Sequence, residues 1–335
     1  MEKAKKRVLF IDNSDSDFTG YDLDSPKVRG TESSLILLAE SLQKKNIEVK
    51  VLTGVNENTI CNNVVYGNKL KTVNEEYDLC VVVSNANLFD ICQGKKNVVW
   101  SNSLQPFEKF IRKKQFFPFL KYKPQVVTMC DYQYKKRSFL TSMYGKHMIS
   151  LSVDPRFYNE DLNLSKFPEK NVLNNIRSLR NLDWLLDIWV NKFKNFNNEA
   201  KLFINPNLVQ YTNNLKKNNV MERVYGSRHD LLEELKNTRV FAYTGHKSDI
   251  WVLTVEEAVQ MCVPVVTFGI GSVSDRVEHG ITGFIAKNDK EFSGYLEKLL
   301  FDDELYSNMR SEMFKNRGFI NWDIIADLWI KKFLY

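Results

Sequence analysis

Residues 239–284 read RVFAYTGHKSDIWVLTVEEAVQMCVPVVTFGIGSVSDRVEHGITGF, and their pattern gives the clearest indication of the protein's architecture. It predicts a strand over 239–244, a polar loop, a helix over 253–262, a second strand over 263–268 and a glycine-rich loop. In a parallel sheet this order places the start of the helix above the carboxyl edge, where backbone N–H groups and the helix dipole suit a phosphate. We expect a diphosphate to bind at Ile250, Trp251, Val252 and Leu253.

The same alternation of short apolar strands and longer amphipathic helices continues along the chain and predicts an α/β protein with parallel sheets covered by helices. In the first half we expect a helix over 32–45 and strands over 7–12, 48–53, 79–85, 97–102, 125–131 and 148–153. In the second half we expect further strands over 171–175, 201–205 and 223–226, and helices over 182–193, 229–236 and 290–300.

The length of 335 residues suits two domains of about 150 residues each. The best linker candidate is 152–170, which contains prolines and few periodic apolar residues. We expect a first domain over 1–155 and a second over 156–320, both Rossmann-like and facing each other across a cleft. The apolar stretch within 321–335 predicts a helix that packs back on the first domain.

Composition excludes several classes of protein. Hydrophobic residues at 43% and charged residues at 26% lie near the averages for soluble globular proteins, which argues against a disordered or fibrous chain. The apolar runs are shorter than the roughly 18 residues of a membrane-spanning helix, and the apolar stretch after the basic start is too short for a secretory signal. We expect a cytoplasmic protein.

The cysteines and the net charge narrow the choice of ligands. The five cysteines have no CxxC spacing and lie in apolar or small-residue settings, which indicates core positions rather than disulfides or a metal site. The formal charge of +6 is mild and spread along the chain, whereas a nucleic-acid-binding protein concentrates its positive charge. An anionic small ligand or a membrane surface fits better.

Two acids flank the expected phosphate position. Asp249 precedes the helix and Glu257 lies inside it, eight positions later. Carboxylates accept hydrogen bonds from neighbouring sugar or ribose hydroxyls, so the two could contact different parts of one ligand. By spacing alone, a solvated surface pair is the more common reading, and Glu256 competes with Glu257 for this role.

This stretch resembles the signature of the retaining family 4 glycosyltransferases, also described as glycosyl transferases group 1, which have the GT-B fold. In that signature an acid, seven residues and a Glu-Ala pair precede a Pro-Val strand and a glycine-rich continuation. The matching residues are Glu257, Ala258, Pro264, Val265, Val266, Gly271, Gly280, Thr282, Gly283 and Phe284. The chain departs from the pattern at Asp249, which replaces a Glu, and at Ile250, Trp251 and Val252, which replace Gly-Phe-Gly.

Three further stretches are similar to motifs of this family and follow in the same order. RGTE at 29–32 resembles the Gly-Gly-x-Glu turn facing the donor, here with Gly30 and Thr31, although Thr31 could simply be a helix N-cap. IRSLRNLDWLLDIW at 176–189 resembles the segment whose cation holds the diphosphate, which implies Arg180 with Arg177 in reserve. SVDPRF at 152–157 is similar to the family's Asn-Gly-Val-Asp linker.

The resemblance implies that a sugar passes from a nucleotide-diphosphate sugar to a glycan or lipid-linked acceptor with its anomeric configuration retained. Glu257 would hold the ribose, Asp249 would orient sugar hydroxyls, and the acceptor would approach Asn102, where many relatives have a histidine. His246 is a weaker candidate for that histidine's role. No cofactor or metal is implied, because arginine and the helix end can stabilise the leaving diphosphate.

Two other functions remain open at this point. A catalytically silent binding subunit is suggested by Asp249 and Asn102, which stand where relatives use Glu and His. A nucleotide-sugar 2-epimerase would need additional acids and a histidine in the cleft that the sequence does not locate.

A surface role is also suggested by residues 107–123, FEKFIRKKQFFPFLKYK. Phenylalanines interleaved with cations suit an anionic membrane interface. The alternative is a helix that buries its phenylalanines while the lysine side chains reach solvent. No pattern of stacking residues along a basic groove indicates RNA.

Overall fold

The computed structural model describes residues 5–71, 75–175, 182–193, 199–205, 218–223 and 226–335. Its contacts divide the chain into two compact units. Unit 1 comprises Met1–Ser152 with Ile320–Tyr335, and unit 2 comprises Val153–Phe319. The chain therefore leaves unit 1 once and returns to it at its end.

Unit 1 contains an eight-stranded sheet of order β3-β4-β2-β1-β5-β6-β7-β8. The strands are parallel except for β3, which runs antiparallel to β4. They span β1 Arg7–Ile11, β2 Glu48–Thr53, β3 Thr59–Cys61, β4 Val64–Asn68, β5 Tyr77–Val83, β6 Gly94–Trp100, β7 Gln125–Thr128 and β8 Lys146–Met148.

Unit 2 contains a six-stranded sheet of order β11-β10-β9-β12-β13-β14, and every described pair in it is parallel. The strands are β9 Asn171–Leu173, β10 Lys201–Ile204, β11 Val220–Glu222, β12 Val240–Ala242, β13 Val265–Thr267 and β14 Gly283–Ile285.

Helices cover both sheets, as the alternating pattern predicts. They are α1 Gly30–Lys44, α2 Phe107–Arg112, α3 Phe116–Tyr122, α4 Asp131–Lys136, α5 Pro155–Asn159, α6 Leu182–Phe193, α7 Arg228–Lys236, α8 Leu253–Gln260, α9 Asp289–Phe301, α10 Asp303–Lys315 and α11 Trp322–Phe333. In the described part of the chain, each of them is too short or too polar to traverse a bilayer.

The core of unit 1 lies on both faces of its sheet because successive strand residues point to opposite sides. Leu9 and Ile11 of β1 belong to one buried cluster, which also contains side chains of α2 and α3. Phe10 points the other way and meets Trp329 of α11 at 6.3 Å between ring centroids. Trp100 lies 5.8 Å from the same ring. The apolar stripe of α11 is therefore buried within unit 1.

The core of unit 2 is also two-sided. One buried cluster joins the sheet to α6, α9 and α10. The other joins it to α5, α7 and α8. Both clusters are rich in Val, Leu and Phe, as expected for parallel strands covered on two faces.

The structure corrects several boundaries. The strand expected over 223–226 falls partly outside the described residues, and β11 lies just before it, at Val220–Glu222, where it pairs with β10. The strand expected over 148–153 is displaced, because ladder pairing with β7 covers only Lys146–Met148. Helix α10 was not predicted from the sequence.

The β3–β4 hairpin was also not expected. Its two-residue turn is Asn62–Asn63, with φ of 47° and 62°. Positive φ at both central positions is the geometry that two-residue hairpins favour, and asparagine tolerates it. The core positions expected for the cysteines are confirmed, since all five are buried.

Candidate functional site

The carboxyl edge of the sheet in unit 2 has a topological switch point between β9 and β12. From β9 the chain proceeds outward to β10 and β11, and then returns to β12 on the other side of β9. Ligands of open α/β sheets bind at such points, because the loops leave in opposite directions and open a crevice. Asn174, which follows β9, donates from its amide to the carbonyl of Ala242 at 2.9 Å and joins the two strand ends.

Asp249 lies in the loop that follows β12 at this switch point. Its Oδ2 accepts hydrogen bonds from the hydroxyl of Tyr243 at 3.0 Å and from the backbone N–H of His246 at 2.8 Å. Both donors belong to the same loop as the carboxylate. Asp249 is therefore held in one orientation above the sheet edge and also stabilises the loop that carries it.

Two glycines let the loops after β12 and β13 approach each other. Gly271 has a φ of 78°, and a Cβ at this position would lie 2.1 Å from the carbonyl oxygen of His246. Gly245 has a φ of 84°, and its Cβ would lie 2.6 Å from the carbonyl oxygen of Ile270. The N–H of Ser272 donates to the carbonyl of Asp249 at 3.0 Å across the same junction. Only glycine permits this close approach.

Helix α8 starts beside this junction. Its N-cap is Val252, whose side chain makes no capping hydrogen bond. The N–H groups of a first helical turn have no partner within the helix, so without a capping side chain they can bind solvent or an anion. The structure thus assembles Ile250, Trp251, Val252 and Leu253 at a helix N-terminus next to Asp249, in the arrangement that the sequence predicts.

The two adjacent glutamates of α8 have different partners. Glu257 is 3% exposed, and its Oε1 lies 3.3 Å from Nη1 of Arg228. Glu256 accepts a hydrogen bond from the amide of Gln260 at 3.0 Å and lies 3.8 Å from the guanidinium of Arg276. Both cations come from other elements, and the sequence pattern gave no signal for either pairing.

Arg276 also covers the ring of Trp251. The guanidinium carbon lies 3.6 Å from the ring centroid, and the buried indole N–H of Trp251 has no hydrogen-bond partner among the described residues. A cation at this distance over tryptophan is an attractive pair. The side chain that replaces the Phe of the Gly-Phe-Gly pattern is therefore fixed by stacking.

In unit 1 the structure brings Asn102 and Thr31 together. The amide of Asn102, which follows β6, donates to the hydroxyl of Thr31 at 3.1 Å, and its backbone N–H donates to Oγ of Ser84 at 2.7 Å. The reading of Thr31 as an N-cap is wrong. Helix α1 begins at Gly30, and Glu32 accepts from the N–H of Arg29 at 3.1 Å, so the helix is capped through Glu32.

Helix α4 holds the loop that carries Asn102. The amide of Gln133 donates to the carbonyls of Ser101 and Ser103 at 2.8 and 3.0 Å, and Nη1 of Arg137 donates to Oγ of Ser101 at 2.6 Å. Arg137 is 4% exposed, and burial lowers its pKa to about 10. Neither supporting residue was identified from the sequence, where both read as ordinary helix positions.

A buried acid lies at the switch point of unit 1, which falls between β1 and β5. Asp12 follows β1 and accepts from the N–H of Ser14 at 2.8 Å. Burial, together with the charge of Glu32, raises the pKa of the Asp12 carboxyl, although its hydrogen bonds with Ser14 act in the other direction. The sequence gave no indication of this pair of acids.

The two arginines assigned to the diphosphate by resemblance, Arg177 and Arg180, lie outside the described residues.

Comparison with known proteins supports one family. Residues 191–316 match the sequence model described as glycosyl transferases group 1. This match contains Asp249 and Glu257 but not the similar stretches at 29–32 and 176–189. No curated protein sequence gives a significant match.

Several solved structures are similar over nearly their whole length. Sucrose-phosphate synthase from Thermosynechococcus elongatus has 10% identity, a TM-score of 0.71 and 98% of each chain covered. HepE of Anabaena, solved with UDP and glucose, has 15% identity and a TM-score of 0.70, with 98% of this chain and 99% of HepE covered. WaaG, a glycosyltransferase involved in lipopolysaccharide biosynthesis, has 13% identity and a TM-score of 0.68, with coverages of 97% and 99%.

At these identities the similarities establish the fold. The chain is an α/β protein with two parallel-sheet units, and it matches GT-B glycosyltransferase structures. The predicted fold class, an α/β protein with two parallel-sheet domains, is confirmed.

Proposed function

We propose that this chain is a retaining glycosyltransferase that moves a sugar from a nucleotide-diphosphate sugar to a hydroxyl of a glycan or lipid-linked acceptor. The observation that carries the proposal is the placement of Asp249 and Glu257 around the uncapped start of α8, at the switch point of the unit 2 sheet. The match of 191–316 to glycosyl transferases group 1 supports the same reading. HepE, a protein with this fold, was solved with UDP and glucose, which supports a nucleotide donor.

In the proposed complex, unit 2 holds the donor. The N–H groups at the start of α8 bind the diphosphate, since a helix N-terminus favours negative charge. Arg180, with Arg177 in reserve, adds positive charge by resemblance to the family. Glu257 accepts hydrogen bonds from the ribose, and Asp249 accepts them from hydroxyls of the transferred sugar.

The acceptor binds at the carboxyl edge of unit 1 near Asn102, whereas Gly30 and Thr31, by resemblance to the family, face the donor. The bond between the anomeric carbon and the diphosphate oxygen breaks, and the acceptor oxygen bonds to that carbon on the same face. The acceptor's proton passes to the departing phosphate, so Asn102 needs only to orient the acceptor by hydrogen bonding. We expect transfer to proceed without a metal, and loss of activity on adding EDTA would contradict this part.

The test combines binding with turnover. Thermal shifts with UDP-, GDP-, dTDP- and ADP-sugars identify the donor, because a ligand that binds the folded state raises the melting temperature. Release of the nucleoside diphosphate and NMR of the product then measure transfer and anomeric configuration. We expect Asp249→Asn to abolish release, while Asp289→Asn, at an exposed position of α9, leaves it unchanged. An inverted product would contradict the retaining mechanism.

One observation favours a second candidate, a binding subunit without transferase activity. Asp249 and Asn102 stand where relatives use Glu and His, and two hydrogen bonds of the Asp249 carboxylate stabilise its own loop. The same measurements separate the two candidates. A donor that raises the melting temperature without any release of nucleoside diphosphate, in the presence or absence of acceptor, would favour the binding subunit.

We further propose that unit 1 contacts an anionic membrane through α2, α3 and the turn Phe139–Thr141, here called the basic-aromatic face. Phe110, Phe119 and Tyr122 are buried, but Phe117 and Phe139 are each 75% exposed. Ile111, Leu120 and Leu140 are also exposed. The cations of 109–123 are Lys109, Arg112, Lys113, Lys114, Lys121 and Lys123. Apolar side chains surrounded by lysine and arginine favour the headgroup region of anionic bilayers. WaaG takes part in lipopolysaccharide biosynthesis, which agrees with a lipid-linked acceptor.

A further inference from the structure

Arg228 occupies a position that its own helix does not favour. It is the first residue of α7, directly after the N-cap Ser227, and Asp230 completes the capping box. The positive end of a helix dipole repels a cation in the first turn. The contacts that compensate for this placement must therefore lie outside α7.

Arg228 pairs with Glu257 of α8, at 3.3 Å between Nη1 and Oε1. Both side chains are largely removed from solvent, with 13% of Arg228 and 4% of Glu257 exposed. An ionised carboxylate in such surroundings takes up a proton unless a cation or hydrogen-bond donors compensate for the lost water. The guanidinium of Arg228 supplies such compensation and fixes the orientation of the Glu257 carboxylate by a charge-assisted hydrogen bond.

A second ion pair lies beside the first. Asp154 is buried and receives two side-chain hydrogen bonds from Arg156, Nε to Oδ1 at 3.0 Å and Nη2 to Oδ2 at 2.7 Å. Burial acts to raise the pKa of Asp154, but the bonds from Arg156 and the charge of Arg228 outweigh it, so that pKa lies below its ordinary value. Two acids and two arginines thus balance each other where α5, α7 and α8 pack together.

We propose that Arg228 is a positioning residue for the nucleotide, which holds the Glu257 carboxylate aimed at the ribose hydroxyls. This inference rests on the proposed function, in which Glu257 contacts the ribose. Arg228 itself acts only through Glu257, so its loss removes the preference for ribose hydroxyls and leaves the contribution of the diphosphate in place. A residue that merely braced the fold would weaken every nucleotide by the same factor.

The test measures this preference by calorimetry. The dissociation constant of UDP is compared with those of 2′-deoxy-UDP and 3′-deoxy-UDP. The same comparison is made for GDP and its two deoxy forms. In the unmodified protein we expect loss of the contacted hydroxyl to weaken binding about tenfold, the effect of one charge-assisted hydrogen bond. In Arg228→Met we expect this ratio to fall to about twofold or less, and in Arg228→Lys, which retains the charge, to an intermediate value.

The matched control is Lys236→Met, which removes another paired cation of α7, the helix of Arg228. Its ratio should remain at the value of the unmodified protein. If the ratio of dissociation constants in Arg228→Met equals that of the unmodified protein, the positioning role is overturned. If the Met variant does not fold, an unchanged ratio in Arg228→Lys overturns it. Failure of the unmodified protein to bind either nucleotide would instead count against the proposed function.

Discussion

The side-chain amide of Asn102 donates a hydrogen bond of 3.1 Å to the hydroxyl of Thr31. Asn102 follows strand β6 and Thr31 lies in the first turn of α1, so one bond joins a loop to the start of a helix at the carboxyl edge of the unit 1 sheet. Asn102 is also anchored at its backbone by Ser84. The position at which we place the acceptor is therefore defined by contacts within unit 1.

Replacing Asn102 should affect the acceptor and leave the donor unaffected. In Asn102→Ala we expect turnover to fall about tenfold, the equivalent of one lost hydrogen bond of about 1.4 kcal/mol in the transition state. Thr31→Val should cause a smaller loss, because Asn102 remains but is less well oriented. Steady-state kinetics with calorimetry of donor binding measure both effects. An equal loss of donor affinity would instead place Asn102 in the donor site.

Gly271 should tolerate no side chain. In Gly271→Ala the new Cβ would overlap the carbonyl oxygen of His246, and φ of 78° is strained for alanine. We expect a loss of about 1–3 kcal/mol in unfolding free energy and weaker donor binding. Gly294→Ala is the matched control, because nothing lies within 4 Å of that position inside α9 and alanine favours helix. It should gain about 0.5–1 kcal/mol. Urea unfolding measures both variants, and equal stabilities would refute the steric argument.

Loss of Arg137 should loosen the loop that carries Asn102. In Arg137→Met, Oγ of Ser101 and the carbonyl of Thr141 lose a buried donor. We expect a cost of about 1–3 kcal/mol, the usual penalty for unsatisfied buried polar groups. Turnover should fall with donor affinity unchanged. Exposed Lys136 is the control: Lys136→Met should alter neither quantity.

Asp12 should make stability depend on pH. Its folded-state pKa is raised, chiefly by burial, above the ordinary value of 3.8, so the folded state binds more protons than the unfolded state between the two values. Stability contributed by this group therefore falls as pH rises above about 4. Asp12→Asn retains an oxygen for Ser14 and should be more stable than the unmodified protein at pH 7, with a smaller gain at pH 4. Melting temperatures at the two pH values measure this. An equal gain at both would contradict the raised pKa.

The basic-aromatic face should bind anionic vesicles. We expect cosedimentation with vesicles containing phosphatidylglycerol, little with phosphatidylcholine alone, and weaker binding in 0.5 M salt. Combined replacement of Phe117 and Phe139 by serine should reduce binding at least tenfold. Phe319→Ser is the control, because this side chain is 78% exposed but lies outside the face. If the double variant still binds the anionic vesicles, Phe117 and Phe139 do not mediate the membrane contact.

Much of the fold is readable from the sequence because it depends on local periodicity. The span of β2 agrees with the expectation at both ends, and 182–193 are helical as expected, since a buried strand and an amphipathic helix each carry a strong pattern. The β3–β4 hairpin was missed because β3 exposes the apolar side chain of Ile60, so no alternation of apolar and polar residues marks the strand. The start of α1 was misplaced because Glu32, not Thr31, provides the cap.

The partners within the site could not be read in the same way. Asp249, Glu257 and the start of α8 follow from one continuous stretch. Arg228 reaches Glu257 from another helix, and Asn102 reaches Thr31 from a distant strand. Such contacts depend on how elements pack, which neither spacing nor propensity encodes.

The burial of Trp329 against Phe10 and Trp100 has a consequence for the order of events during synthesis. The ribosome completes the strands of unit 1 at Met148, then makes all of unit 2, and only afterwards makes the helix that covers those two rings. Domains usually fold in the order in which they emerge. Here the second unit is continuous in sequence and can complete its folding first. Until α11 has been synthesised, Phe10 and Trp100 of the first unit lack the helix that covers them.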